Sequence, residues 1–387
     1  MFEVFYVSDG ELYRAANGDS QRILCGAIDN YRQTVMEIHK RHEWKTQGAG
    51  AHFMGTAAPK LEAEDIHTGV EAVVSVNGEG LIYASTLETA CAIYAKNPKD
   101  AKAGEKYIAK LVDTRIYHMD YDPVDQRLVV SASEGYLEKH LALCGVDRAN
   151  YRMITEGECV DITPSFSLKD PNMIYFSSAG FYMDRGRAIY SGYAVCKYDL
   201  VRNELCEVLA DETHDFLYPR QTADGKLYCI RRKKQSPGRG GASLSDVILA
   251  PVRFLRAVFG WANFFSQRYS GESLIKGKGG PNPAKNREKN PREIFIEDNL
   301  IDAEKALKEN KLAGETFPGI APKSWELISI DTGGDITVIK CGVLNYTFDK
   351  NGGLVYSNGK YILRVLPDGE EIICEAEVAQ SLSTREL

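Results

Sequence analysis

Paired histidines near the N-terminus are the first residues whose spacing could hold a metal ion. His39, His42 and Glu43 lie on a basic, helix-like run between Tyr31 and Lys45. Zinc proteases carry His-Glu-x-x-His or His-x-x-Glu-His, because two histidines and a glutamate must share one face of a helix. The order His-x-x-His-Glu matches neither motif, so we predict that this run packs against the fold or faces solvent.

Two further motifs resemble sites only in part. Residues 48–55 are rich in glycine, but no Lys-Ser/Thr follows and the spacing does not suit a dinucleotide loop. Asp120, Asp122 and Asp125 lack the central glycine and closing glutamate of a calcium loop. No Gly-x-Ser-x-Gly nucleophile elbow is present. From the linear sequence we therefore predict no catalytic residue, no cofactor and no metal site.

The cysteines are scattered along the chain. There are nine, and no two form a Cys-x-x-Cys pair. Zinc ribbons and redox motifs need such close pairs, since two sulfur atoms must converge on one metal or on each other. We therefore expect the cysteines to act as small buried apolar residues rather than as a disulfide framework.

Composition excludes several classes of protein. The chain has 387 residues, 44% of them hydrophobic and 26% charged, which is typical of a globular protein and not of a disordered or multi-span membrane protein. The formal charge of −7 argues against a uniformly basic protein, so we expect no nucleic-acid partner. The start, Met1 to Tyr6, has no positive segment before an apolar run, and we expect a cytoplasmic protein.

Most of the chain consists of a repeat of short strand-like segments. In each copy a short strand precedes a turn of Asp, Asn, Gly or Pro, and an apolar strand follows. The copies are residues 71–84, 118–131, 161–178, 215–230 and 344–357. Two more strand-like runs follow each copy, and four strands too short to bury a face alone are typical of a β-propeller blade.

The termini complete the ring. Residues 2–25 fit a blade whose first strand is missing, and residues 378–383 are apolar enough to supply it, which would remove the open sheet edges. Without the pattern-free stretches 28–66 and 236–321, six blades average about 44 residues each. We predict a single all-β domain over residues 1–387, a six-bladed β-propeller with insertions at 28–66 and 236–321.

The repeat at 161–177, Asp-x-x-Pro-x-Phe-Ser followed by Asp-x-x-x-Ile-Tyr-Phe-Ser, resembles that of the TolB-type family of bacterial β-propellers. The resemblance implies a six-bladed ring with a central channel, commonly used as a protein-interaction platform. Six-bladed lactonases instead gather Glu, Asn and Asp from different blades around a central metal. That arrangement leaves no linear signature, so a channel enzyme stays the alternative.

The second insertion contains the most unusual segment. Within residues 243–267 the small or polar residues recur at helical spacing and form one narrow stripe on a mostly apolar helix. These residues are Arg253, Arg256, Gly260, Asn263 and Gln267. Three interpretations stay open: the helix packs on the propeller, docks a partner or a second copy, or binds a membrane surface together with the basic loop at 276–292. A more polar helix is predicted from Glu297 to Leu312.

The charge is unevenly distributed. Residues 231–298 carry 14 Lys and Arg against 6 Asp and Glu, a net +8, which leaves −15 for the rest of the chain. We therefore predict a non-enzymatic interaction scaffold with a protein partner, in which the insertion is an apolar and basic docking element. The alternative is a metal-dependent hydrolase or lactonase with its site in the channel. The predicted partner-binding residues are Arg253, Arg256, Trp261, Phe264 and Phe265, with Trp44 and Lys45 as a second contact surface.

Overall fold

The computed structural model describes residues 2–16, 18–43, 66–76, 80–88, 90–99, 104–133, 135, 137–147, 150–184, 187–234, 293–296 and 299–386. Its strands form six antiparallel sheets, which are the blades of a β-propeller, and one separate hairpin. Strands are numbered along the chain, and each blade is given from its inner to its outer strand.

The first three blades hold the N-terminal part of the chain together with the last strand. Blade 1 contains β27 (Ser381–Glu386), β1 (Phe2–Ser8), β2 (Glu11–Ala16) and β3 (Asp19–Ile23). Blade 2 contains β4 (Thr68–Ser75), β5 (Leu81–Leu87), β6 (Ala90–Lys96) and β7 (Lys106–Val112). Blade 3 contains β8 (Arg115–Asp122), β9 (Arg127–Ser133), β10 (His140–Gly145) and β11 (Arg152–Met153).

The other three blades follow in chain order. Blade 4 contains β12 (Cys159–Phe166), β13 (Met173–Asp184), β15 (Ala194–Asp199) and β16 (Glu204–Leu209), and β14 (Arg187–Tyr190) pairs with the end of β13. Blade 5 contains β17 (His214–Gln221), β18 (Leu227–Lys233), β21 (Glu326–Ile330) and β22 (Ile336–Cys341). Blade 6 contains β23 (Asn345–Phe348), β24 (Leu354–Ser357), β25 (Tyr361–Leu366) and β26 (Gly369–Glu375).

In each blade the second strand is more buried than the outermost strand. All seven residues of β5 are buried, whereas five of the six residues of β16 are exposed. A strand that is covered on both faces by neighbouring blades reads as a continuous apolar run, which explains why the second strand of each repeat stood out in the sequence. The core accordingly lies between blades, with an apolar cluster at each of the six junctions.

The predicted closure by the two termini is confirmed. β27 pairs with β1 in antiparallel register from Phe2 opposite Glu386 to Val7 opposite Ser381. The closing strand begins three residues later than predicted, because residues 376–380 form the connection from blade 6. There the backbone nitrogens of Ala376 and Val378 donate to the carbonyls of Lys360 and Gly359.

The helices belong to the segments without the repeat. Helix α1 (Gly26–His42) covers most of the predicted basic run and packs Ile28 and Val35 inward. Helix α2 (Ala303–Leu312) follows a hairpin of β19 (Glu293–Ile296) and β20 (Asn299–Asp302). Neither helix of the described part is long and apolar enough to cross a membrane.

The prediction of a helix from Glu297 is therefore wrong at its start. Asp302 caps the helix, because its side chain accepts a hydrogen bond from the backbone nitrogen of Lys305, and the residues before it pair as strands. Ile301, Ala303 and Ala306 are buried, so the hairpin and helix pack on the propeller.

Candidate functional site

A polar channel runs along the centre of the ring. Its wall comes from the inner strands of all six blades, and its volume is about 90 Å³. Small-molecule sites usually measure roughly 300 Å³ or more, so the channel has room for several water molecules and not for a large ligand. The polar residues that line it are Ser75, His118, Asp120, Tyr121, Thr163, Ser165, Tyr218, Arg220, Asn345, Thr347, Gln380, Ser381 and Ser383.

Asp120 links three blades across the channel wall. Its Oδ2 accepts a hydrogen bond from the backbone nitrogen of Phe166 in blade 4 at 2.8 Å, and its Oδ1 lies 3.7 Å from Nη1 of Arg220 in blade 5. Burial raises the pKa of Asp120, while Arg220 opposes that effect. The carboxyl group is thus part of a contact between blades.

Blades 4 and 5 each place a strained bulge at the same point of the wall. Thr163 and Tyr218, each before a proline, have φ of 52° and 54°, and the register of both strands shifts there. Such φ values are costly for branched or bulky residues and persist only when neighbours enforce them. Here the backbone nitrogen of Tyr218 donates to Thr163 Oγ1 at 3.1 Å, and the hydroxyl of Tyr346 donates to the Tyr218 carbonyl at 2.7 Å.

The opposite side of the wall is joined by hydroxyl groups. Ser381 Oγ and Ser383 Oγ of blade 1 accept hydrogen bonds from the backbone nitrogens of Val73 and Ser75, at 3.2 and 2.8 Å. Asn345 Nδ2 of blade 6 donates to the Gln380 carbonyl at 2.7 Å. Many of the channel's polar groups are therefore engaged in holding blades together.

The channel's described side chains do not gather a metal-binding set of the carboxylate, thiol and imidazole type. Over the part of the chain that the structure describes, one group of three such side chains lies close enough to share an ion: His140, Cys159 and Asp161. None of the three is among the residues that line the channel. They come from two blades, and their spacing along the chain forms no recognisable metal-binding motif.

The predicted partner-binding residues all lie outside the described residues. These are Arg253, Arg256, Trp261, Phe264, Phe265, Trp44 and Lys45. Four basic residues, Arg231 to Lys234, come directly before the second insertion, and the structure describes them. Arg232 is fully buried. Its Nε lies 3.5 Å from Asp215 Oδ2, and the centre of its guanidinium lies 5.2 Å from the centroid of the Trp325 ring. Arg232 therefore belongs to the core of blade 5.

The outer strands present apolar side chains to solvent. The strand β22 exposes Ile336, Val338 and Ile339 by 43–46%, and β16 exposes Leu205 and Val208. Outer strands with exposed apolar residues are places where another chain can add or pack. β22 belongs to blade 5, the same blade that carries the second insertion.

The cysteines follow the prediction only in part. Six of the nine are buried, whereas Cys159 is half-buried and Cys206 and Cys341 are exposed. Burial raises the pKa of the Cys25 and Cys91 thiols to about 12, in keeping with an apolar packing role.

Comparison with known proteins supports the fold. No family model and no curated protein matches the chain. TolB from Acinetobacter baumannii is 10% identical with a TM-score of 0.50, and the match covers 99% of this chain but only 66% of that one. A chain of the nidogen/laminin complex is 7% identical with a TM-score of 0.48, and the match covers 99% of this chain and 98% of that one. The tricorn protease is 12% identical with a TM-score of 0.46, and the match covers 96% of this chain and 33% of that one. The chain forms a TolB-like six-bladed β-propeller.

Proposed function

We propose that this protein is a non-enzymatic, cytoplasmic scaffold that binds a protein partner. The observation that carries the proposal is that many of the channel's polar groups make contacts between blades, in a channel of only about 90 Å³. A narrow channel in which many hydrogen-bonding groups already join blades offers little to a substrate. The exposed apolar strand β22 adds a surface for another protein.

The docking element of the scaffold is the second insertion. Its net charge of +8 over residues 231–298 and its apolar residues Trp261, Phe264 and Phe265 suit a partner with an acidic rim around an apolar groove. Arg253 and Arg256 supply positive charge in the same stretch of sequence. Two competing hypotheses are that the helix predicted over residues 243–267 contacts a membrane surface, or that it binds a second copy of the chain.

Affinity capture from native cytosol tests this proposal. The bait is the full chain, compared with a triple Trp261→Ala, Phe264→Ala, Phe265→Ala variant and a double Arg253→Glu, Arg256→Glu variant. Val124→Ala is the matched control, since Val124 is 72% exposed on blade 3. We expect one partner to be lost from both insertion variants and kept by the control, and its binding to the purified chain to weaken as salt rises.

Equal capture of the partner by all four baits would show that the insertion is not the partner-binding site. Trp44→Ala with Lys45→Glu then tests the second contact surface. Binding of the chain to anionic lipid vesicles, lost in the same insertion variants and without any captured protein, would replace the protein partner by a membrane.

The rival function is a hydrolase or lactonase with its site in the channel. The observation that favours this rival function is the contact of Asp120 with Arg220 in the channel wall. His118, which also lines the channel, lies on the same strand as Asp120, β8. We expect no turnover of a lactone and ester panel by the purified chain. Turnover that is abolished by Asp120→Asn or His118→Ala, while the fold is kept, would overturn the scaffold proposal.

A further inference from the structure

We propose that His140, Cys159 and Asp161 form a binding site for one Zn²⁺ at the junction of blades 3 and 4. His140 begins β10 of blade 3, and Cys159 and Asp161 lie two residues apart on β12, the inner strand of blade 4. Their ligand atoms all lie within 4.8 Å of one another. The site does not depend on the scaffold function and lies outside the channel lining.

The distances from the thiol to the other two ligand atoms match a tetrahedral zinc site. Cys159 Sγ lies 3.7 Å from His140 Nδ1 and 3.5 Å from Asp161 Oδ2. With Zn–S bonds of about 2.3 Å and Zn–N or Zn–O bonds of about 2.1 Å, the edges of a tetrahedron measure roughly 3.5–3.6 Å. The ligand atoms of His140 and Asp161 lie at most 4.8 Å apart, so one ion can reach all three atoms once the side chains adjust.

Neighbouring groups already orient the ligands. Asp161 Oδ1 accepts a hydrogen bond from Ser178 Oγ at 2.6 Å, which directs Oδ2 toward the thiol. The backbone of Asp161 is fixed on both sides, because its nitrogen donates to the Lys139 carbonyl at 2.8 Å and its carbonyl accepts from Ser131 Oγ at 2.6 Å. Such outer contacts around metal ligands fix their orientation and tune affinity.

The imidazole of His140 lies close to the carboxylate of Glu138. His140 Nε2 lies 3.8 Å from Glu138 Oε2, while Nδ1 faces the thiol. A carboxylate on the second ring nitrogen orients a metal-binding imidazole and raises its basicity. Glu138 is half exposed, so this contact sits at the outer side of the cluster.

The donor atoms select the metal. One sulfur, one imidazole nitrogen and one carboxylate oxygen suit Zn²⁺, whereas Ca²⁺ and Mg²⁺ prefer oxygen alone. Asp161 is buried and Cys159 half-buried, so the ion would enter from the Cys159 side. Three protein ligands leave a fourth position for water. Zinc here would join the third strand of blade 3 to the inner strand of blade 4.

The test is metal binding by the purified full chain after removal of metal with a chelator. Zn²⁺ affinity is measured by competition with a chromophoric chelator, and Co²⁺ serves as a spectroscopic substitute. We expect one equivalent of metal, absorption bands of tetrahedral Co²⁺ with a thiolate charge-transfer band, and a melting temperature raised by Zn²⁺. Cys159→Ser, His140→Gln and Asp161→Asn should each lower the affinity by at least about tenfold.

Cys206→Ser and His214→Gln are the matched controls, because they remove an exposed thiol on blade 4 and an imidazole on blade 5. Glu138→Gln is a second probe that spares the buried residues, and it should weaken Zn²⁺ binding by up to about tenfold. Equal metal binding by the wild type and all ligand variants, or Co²⁺ binding without a thiolate band, would overturn the proposal.

Discussion

At the scale of single residues, the unusual feature of this propeller is a buried charge cluster at the point where the ring closes. Glu3 on β1 accepts hydrogen bonds from Arg14 Nε of β2 at 2.8 Å and from Arg385 Nε of β27 at 3.1 Å. Glu3 is fully buried and Arg385 nearly so. Removing one partner of a buried charge set leaves another charge without compensation, which costs more than the loss of a surface pair.

We expect Glu3→Gln to lower the free energy of unfolding by about 3 kcal/mol, because two guanidinium groups lose their carboxylate. Glu11→Gln in the same blade is the control. It removes a partly exposed pair with Arg22 and should cost less than about 1 kcal/mol. Urea unfolding followed by circular dichroism gives both values. Equal losses for the two variants would contradict a special role of Glu3.

The same carboxylate predicts an acid dependence. Burial raises the pKa of Glu3, but its hydrogen bonds with Arg14 and Arg385 outweigh burial and hold the pKa below its ordinary value of 4.5. A lowered pKa in the folded state means that the contribution to stability is complete above pH 4.5 and is lost as the pH falls below it. The stability difference between wild type and Glu3→Gln should therefore shrink on acidification, measured by urea unfolding in a pH series.

At the scale of elements, the second insertion has an end that belongs to the core. Ile301, Ala303, Ala306 and Ala321 are buried, and Asn310 Nδ2 donates to the carbonyls of Gly319 and Ala321 at 2.8 and 3.1 Å. The backbone nitrogens of Ile320 and Ala321 reach the Asn358 carbonyl of blade 6. The boundary at 321 predicted from sequence thus includes a segment that packs on the propeller.

We expect the chain to tolerate replacement of residues 236–292 by a long Gly/Ser linker with little change in melting temperature. Extending the deletion to residue 321 removes the buried side chains of the hairpin and α2, and should cost about 4 kcal/mol or more. Thermal unfolding of the two variants beside the wild type distinguishes these outcomes. A large loss in the shorter replacement would mean that residues 236–292 are part of the core.

At the scale of the whole molecule, the ring was predictable because its repeat is local. Turns such as Asp9-Gly10, where both residues have positive φ, and Asp122-Pro123 mark the strand ends directly in the sequence. The hairpin at 293–302 was not predictable, because its apolar residues also fit a helix. The cluster of His140, Cys159 and Asp161 exists only through the packing of blade 3 on blade 4, so its spacing along the chain carries no signal.

Because β27 closes the ring by pairing with β1, the stability of all six blades depends on this one strand. β27 holds Arg385 and is the inner strand of blade 1, and its Ser381 and Ser383 also bond blade 2. A chain that ends at Ala379 would leave β1 with an open edge and Glu3 without Arg385, because both contacts come from β27. Each blade rests on its two neighbours, so this loss is felt around the ring.

We expect the chain truncated after Ala379 to melt at a clearly lower temperature and to be cleaved faster by a protease than the full chain. A synthetic peptide of residues 378–387, added in excess, should restore the melting temperature as it refills the inner position of blade 1. The same peptide with Arg385→Ala is the control and should restore less, since it leaves Glu3 with only Arg14. Unchanged melting after truncation would show that five complete blades hold the sixth without its inner strand.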